Sequence, residues 1–299
     1  MSVSKPQAKP LQGDAALVGR HYDSCVDAEA ARLEKYSPVE YAITLRYFSR
    51  LLPPGITIAE VGVGTGHYAE FFARRGCTLH LVDVSEGLLQ AARHRLRSSG
   101  LEQNIGSVHR ASGTDLPLAD ASMDAVLLMG PLYHLRDPQD REQSVWEAAR
   151  VLKAGGLVAA AAINRISFLR DMFRYMSDPF TKDFFDAQSQ EASRTLRQDL
   201  RGQFVADFLK SGNLDPEHAP PIGYAHLTTA TKFHALLTAH FEELALVGTE
   251  SFTAPWQDKL ASMPPEEAAG WLDIVEATGQ WPEGMAYSDH FLFIGRKMS

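Results

Sequence analysis

An α/β fold built on a parallel sheet is what this 299-residue sequence predicts, and three features carry the prediction. Between residues 56 and 163, short apolar runs alternate with helical stretches of about 10–15 residues, the rhythm of β–α–β units whose strands are buried on both faces. The first apolar run passes directly into a glycine-rich turn, Gly62-Val63-Gly64-Thr65-Gly66. Gly76 and Gly100 then stand just past the first two helical stretches, where a left-handed residue ends a helix.

Taken in order, residues 1–16 hold Lys5, Lys9 and several breakers but no apolar run, so a disordered tail is expected rather than a signal peptide. Residues 17–52 read as helical. Ser37-Pro38-Val39-Glu40 has the form of a capping box with proline at the first helical position, predicting a helix Pro38–Leu52 that Pro53-Pro54-Gly55 stops. Strands are expected at Ile56–Val63, Thr78–Val84, Ser107–Arg110, Asp124–Met129 and Gly156–Ile163, with helices at His67–Arg75, Glu86–Ser98 and Pro138–Leu152. The segment 17–163 is therefore read as N-terminal helices plus a ligand-binding half-sheet. Residues 164–222 are rich in Phe, Met and Arg without a convincing strand, and read as a helical lid insertion. The sheet resumes in 223–299, with a helix at Thr229–His240, a strand near Glu243–Glu250, a helix near Pro265–Thr278 and a last strand near His290–Arg296.

Composition narrows the function classes. A formal net charge of −8 counts against a phosphate-backbone partner, so nucleic acid is not expected. No apolar run approaches the roughly 18 residues of a membrane span. Only Cys25 and Cys77 are present, too few for a disulfide framework or a cysteine zinc site, and a reduced, cytoplasmic protein is expected. The histidines form no metal-ligand pattern, and a homo-oligomer is left open.

The glycine turn carries the chemistry. Glycine allows positive φ and lets a ligand approach the backbone closely. In the dinucleotide fingerprint the third glycine stands three positions after the second, beside a pyrophosphate. Here it stands two positions after, and Glu60 ends the strand, which suits a cationic ligand instead. The bland alternative is a strand–helix turn with no ligand. Asp83, with Val84 beside it, closes the second strand, where a carboxylate can accept the ribose hydroxyls of an adenosine or merely cap the next helix.

Together, Glu60–Gly66, Asp83, Leu116-Pro117 before Asp124–Met129, and Leu152-Lys153-Ala154-Gly155-Gly156 resemble the ordered motifs of class I S-adenosylmethionine-dependent methyltransferases. The resemblance covers roughly residues 38–163. Gly130-Pro131-Leu132-Tyr133-His134-Leu135 is further similar to a bacterial small-molecule subgroup of that family. The resemblance implies a Rossmann-like, seven-stranded, mostly parallel sheet whose last strand is antiparallel. It also implies S-adenosyl-L-methionine as methyl donor and S-adenosyl-L-homocysteine as product. The cofactor residues that follow are Tyr22, Glu60, Gly62, Gly64, Thr65, Gly66, Asp83, Val84, Ser112, Gly113, Thr114 and Met129. The pattern departs at Ser112, where relatives usually carry an aspartate for the adenine amino group. A serine hydroxyl can accept one hydrogen bond, without the charge-assisted strength of a carboxylate, and Asp115 is a substitute if the loop shifts.

The acceptor site should lie beyond the carboxyl ends of the strands. His134 is the first candidate for a general base or substrate contact, with Tyr133 beside it, although such residues often only pack over the adenosine. His226, where the lid returns to the sheet, is the second candidate base. Phe168, Met172 and Tyr175 are candidate substrate contacts from the lid, whose aromatic content hints at a bulky, fairly apolar metabolite. Tyr22 either touches the cofactor, or Tyr22-Asp23 is simply a helix start with Asp23 as its cap. Arg194, Arg197 and Arg201 share a helix face, but a lid with eight Lys/Arg against nine Asp/Glu reads more simply as a solvated face. The expected function is methyl transfer to O, N or C of a small metabolite. The rivals are a nicotinamide-dependent oxidoreductase and a non-catalytic S-adenosylmethionine-binding module.

Overall fold

The computed structural model describes residues 10–31, 37–177, 201–217 and 222–298. Three helices precede the sheet: α1 (Gly13–Asp23), α2 (Val26–Ala31) and α3 (Pro38–Leu51). The alternating half follows as β1 (Thr57–Val61), α4 (His67–Arg74), β2 (Thr78–Asp83), α5 (Glu86–Ser98), β3 (Ile105–Arg110), β4 (Met123–Leu128), the single turn α6 (Pro131–His134), α7 (Pro138–Val151) and β5 (Leu152–Ile163). The lid region contributes α8 (Arg165–Ser177), α9 (Gln203–Ser211), β6 (Asn213–Leu214) and β7 (Ala225–His226). The chain closes with α10 (Ala230–Thr238), β8 (Phe241–Gly248), α11 (Gln257–Ala261), α12 (Pro265–Gly279), α13 (Pro282–Tyr287) and β9 (His290–Lys297).

Seven strands form one sheet in the order β3-β2-β1-β4-β5-β9-β8. The pairs among β1 to β5 are parallel, and β9 runs antiparallel to both β5 and β8. This is the seven-stranded sheet with an antiparallel last strand that the motifs imply. Because Ile163 pairs with His290 and Gly248 with Phe291, the start of β9 lies at the same edge as the carboxyl ends of the parallel strands.

Both faces of the sheet are covered. On one, Ile43 and Phe48 of α3, Phe72 of α4 and Leu89 and Leu96 of α5 pack on Ile58, Leu79, Leu81, Leu127 and Ile294. On the other, Val145, Ala148 and Val151 of α7 and Phe233 and Leu237 of α10 pack on Val61, Val82, Val126, Phe291 and Phe293. Side chains of this size stabilise by about 1.5–3 kcal/mol each when fully buried. A third, smaller cluster of Ile163, Phe208, Leu214, Ala225 and Leu227 sits at the base of the lid. Among the described residues no helix is long and apolar enough to cross a membrane.

Several boundaries differ from expectation, each for a tertiary reason. Residues 13–16 are helical rather than part of a tail, and Asp14 in that first turn is held by Arg136 at 2.7 Å. The Ser37 side chain makes no cap hydrogen bond, and Glu40 lies 3.6 Å from His290 instead of closing a capping box. The fifth strand begins at Leu152, not Gly156, because Leu152 already pairs with Met123; the register then shifts, and the exposed stretch 153–155 bulges before Leu157 pairs with Ala125. β8 likewise starts at Phe241. The lid carries the two-residue pair β6–β7, too short for a periodicity to announce it. Arg194, Arg197 and most of the aromatic lid segment lie outside the described residues.

His290 stitches the sheet edge to α3. Its Nδ1 lies 2.6 Å from Glu250 Oε1 and 3.6 Å from Glu40. Burial pulls its pKa down, but the two carboxylates outweigh it and raise it from 6.5 to about 9. A histidine with a raised folded-state pKa contributes stability that is fully present below 6.5 and is lost as pH rises through 9. Thermal unfolding followed from pH 7 to 10 should therefore lose on the order of 3 kcal/mol from this site, and His290→Gln should remove that part of the slope. An unchanged slope in the variant refutes the assignment.

Candidate active site

The site is built at the carboxyl edge of the sheet, where β1 turns into α4. Gly62 has φ +77°, and a Cβ there would meet Pro131 Cδ at 2.9 Å. Gly66, at φ +84°, is the N-cap of α4 and leaves a Cβ only 3.0 Å from Ala92. Gly64 differs. It has φ +55°, and a Cβ on it would meet nothing within 4 Å. That space belongs to a cavity whose wall includes Gly62, Gly64, Thr65, Asp83, Val84, Ser112, Gly113, Met129, Tyr133, His134 and Tyr22.

Asp83 holds the loop in place. Its Oδ2 accepts from the Gly64 N–H at 3.0 Å and its Oδ1 from the Ser85 N–H at 2.9 Å. Ser85, not Asp83, caps α5, accepting from the Leu88 N–H at 3.1 Å. The carboxyl is buried, and burial raises its pKa from 3.8 to about 6 against the opposing amides. Relative to the unfolded chain, ionising it in the fold costs about 3 kcal/mol at neutral pH, a cost that further hydrogen-bond donors to the carboxylate would offset.

Thr65 is oriented from behind. Arg95 Nη2 donates to His67 Nε2 at 2.9 Å, so the His67 proton is on Nδ1 and is donated to Thr65 Oγ1 at 3.1 Å. Arg95 Nε also holds the Thr65 carbonyl at 3.0 Å. Glu60 is placed otherwise than expected for a contact to a cationic ligand. It is buried beneath the loop, outside the cavity wall, and neither oxygen meets a hydrogen-bond partner among the described residues. Burial first, and the charge of Asp83 second, hold its carboxyl well above the usual range.

The N-terminal helices roof the cavity. Gly19 allows α1 to lie directly on β2's end, since a Cβ there would sit 2.7 Å from the Val84 carbonyl oxygen. Asp23 accepts from Ser85 Oγ at 2.6 Å and from the Gly87 N–H at 2.9 Å. Arg136 binds Asp14 and Asp215 and lies 4.8 Å over the Tyr224 ring. Tyr22 and Asp23 thus end α1 instead of starting a helix: Asp23 fastens the roof to α5, and Tyr22 lines the cavity.

There Tyr22 meets His134. The Tyr22 hydroxyl and His134 Nε2 are 2.9 Å apart, and His134 Nδ1 lies 2.7 Å from the Tyr224 carbonyl oxygen. A carbonyl only accepts, so Nδ1 carries the proton and Nε2 accepts from Tyr22. Tyr133 packs its ring 4.8 Å from that of His134 and donates its hydroxyl to the Met129 carbonyl.

Other expected residues stand elsewhere. His226 is in β7, outside the wall, with Nδ1 2.8 Å from Asn213 Oδ1. Burial, then Arg141, Arg165 and Lys232, push its pKa down to about 3; it is a neutral, structural histidine where a catalytic one was expected. Phe168 packs on Phe208 in the lid base, and Met172 is half-buried on α8; neither lines the cavity. The side chain of Tyr175 lies outside the described residues. Thr114 is also off the wall, 2.9 Å from Ser112 Oγ. Conversely, Ala15, Val18, Glu29 and Tyr68 line the cavity without any local sequence signal, because only the folding-over of α1 and α2 brings the first three there.

A family model described as a methyltransferase domain matches residues 59–160. The chain is 37% identical to methyltransferase GfsG of Streptomyces halstedii over 123 residues, 40% of this chain and 43% of that protein. It is 37% identical to demethylmenaquinone methyltransferase of Tropheryma whipplei (strain Twist) over 102 residues, 34% of this chain and 39% of that one. The chain thus spans less than half the length of these curated relatives. The crystal structure of the [4+2]-cyclase SpnF shares the fold, with a TM-score of 0.58, 18% identity and coverage of 97% of this chain and 98% of that one.

The contrast between two glycines is testable. Gly64→Ala should fold with a loss of about 1 kcal/mol, the usual cost of a left-handed alanine, yet lose ligand binding in the cavity. Gly62→Ala adds a clash with Pro131 and should unfold at markedly lower temperature. Equal melting temperatures for the two would contradict the geometry.

Proposed function

We propose that this chain, which belongs to the class I S-adenosylmethionine-dependent methyltransferases, transfers a methyl group to O–H or N–H of a small, largely apolar or aromatic metabolite. The glycine spacing disfavours a nicotinamide ligand, and the formal charge of −8 disfavours a nucleic-acid acceptor. The observation that carries the reading is the chain Tyr224 carbonyl–His134–Tyr22, ending in the cavity that Gly64 and Asp83 open onto.

The residues present fit the cofactor: there is free space over Gly64, an acceptor-rich carboxylate at Asp83, and an aromatic ring at Tyr22 for a sulfonium. When bound, S-adenosylmethionine supplies an electrophilic methyl group and leaves as S-adenosylhomocysteine. Asp83 accepts ribose hydroxyls, and Gly62, Gly64 and Thr65 present the loop. The Tyr22 oxygen takes the acceptor's proton as its own passes to His134 Nε2. The imidazolium so formed keeps its Nδ1–H on the Tyr224 carbonyl, which fixes the ring throughout. Tyr133, Met129 and Leu135 give the acceptor an apolar wall. The demethylmenaquinone methyltransferase similarity points toward a ring-bearing acceptor.

Calorimetric titration with S-adenosylmethionine tests the cofactor half; absence of binding by the folded protein would falsify it. Affinity should fall as pH drops through about 6, where Asp83 gains a proton and loses an acceptor, and Asp83→Asn should weaken binding about tenfold and flatten that dependence. Tyr22→Phe and His134→Asn should each lower kcat about 10²–10⁴-fold, with cofactor affinity changed only a few-fold. Turnover undiminished in either variant would exclude the proton relay.

A further inference from the structure

We propose that Arg136 is a positioning residue for the proton relay: its one guanidinium holds both of the elements that supply His134 with hydrogen-bond partners. The inference rests on the relay from the Tyr224 carbonyl through His134 to Tyr22, and it concerns a side chain that lies outside the cavity wall.

The two ring partners of His134 come from different parts of the chain. Tyr22, 2.9 Å from Nε2, stands near the end of α1, and the Tyr224 carbonyl, 2.7 Å from Nδ1, stands just before β7. Arg136, two residues beyond His134, reaches both elements. On α1 it binds Asp14, with Nη2 2.7 Å from Oδ1 and its own backbone N–H 3.0 Å from Oδ2. On the lid side Nη1 donates to Asp215, and the guanidinium carbon lies 4.8 Å from the centre of the Tyr224 ring. In the antiparallel pair β6–β7, Leu214 stands opposite Ala225, so Asp215 and Tyr224 follow opposite one another just past the ladder. The clamp therefore closes on the lid segment whose carbonyl faces His134.

The root of the clamp is fixed as well. Arg141 Nη1 donates to the Leu135 and Arg136 carbonyls at 2.6 and 2.9 Å, so the Arg136 side chain leaves the backbone from a set point. The Arg136 side chain is 26% exposed and that of Asp14 14%, which spares this pair much of the screening that weakens surface ion pairs. A planar fork can serve two carboxylates in different directions and still lie over a ring; the point charge of a lysine meets only part of that set. With Tyr22 and the Tyr224 carbonyl both held, the Nδ1–H form of His134 is the tautomer in which each contact is a hydrogen bond.

The test reads that tautomer by ¹⁵N NMR of the imidazole nitrogens in the full chain at about pH 8, where an ordinary histidine is neutral. The His134 signals are assigned by their loss in His134→Asn. The wild type should show a protonated Nδ1 and a bare Nε2 at well-separated shifts. Arg136→Lys should draw the two signals together as the ring exchanges between tautomers. Asp215→Ala, which removes only the lid side of the clamp, should do the same, and it decides the matter alone if Arg136→Lys does not fold. His67, whose proton Arg95 fixes independently, should keep its shifts in both variants. Unchanged His134 shifts in either folded variant, even with a lowered melting temperature, make Arg136 a staple of roof and lid only and overturn the proposal. Equal movement of the His67 signals shows general loosening and overturns it too. A wild type whose His134 signals are already averaged, or whose proton is on Nε2, overturns the relay itself, a result distinct from the others.

Discussion

The buried carboxylate of Asp83 joins three parts of the chain that are otherwise independent: the glycine loop after β1, the start of α5, and, through Ser85, the Asp23 end of the roof helix. Each link is one hydrogen bond between groups that water would otherwise satisfy. They persist because the edge of a parallel sheet has no neighbouring strand to occupy its last amides. Remove the acceptor, and Gly64 loses the bond that holds it at positive φ while the roof loses its seat. A single ionisable group thus sets the loop and the roof together.

On the other side of the cavity the order comes from tautomers rather than charge. Arg95 fixes the proton of His67 on Nδ1, and the Tyr224 carbonyl fixes that of His134 on Nδ1 as well. In both cases a group that can only donate or only accept decides which nitrogen faces the cavity side. The pocket therefore meets a ligand with its hydrogens already aimed, which lowers the reorganisation required on binding and in the reacting complex.

Much of this was legible in the sequence, and the division follows sequence distance. Strand ends, glycine positions, Asp83 and the Tyr133-His134 pair depend on residues a few positions apart, where periodicity and φ requirements speak directly. Glu60 was misplaced because its identity suggested a contact while its strand register puts it beneath the loop. His226 looked functional as a histidine near a lid return, yet a bond to Asn213 and the surrounding cations make it structural. Glu29 was invisible: nothing around it in the chain distinguishes it from a solvated helical acid, and only the docking of α2 on α5 turns it inward. The same holds for Arg136, whose partners Asp14 and Asp215 stand 122 and 79 positions from it in the chain.

The close seat of α1 at Gly19 has a kinetic meaning. A helix whose backbone lies directly on the Val84 carbonyl, pinned at one end by Arg136 and at the other by Ser85, leaves its place over the cavity only when both anchors let go. The motion of the roof is then set by how often those anchors open together rather than by either one alone.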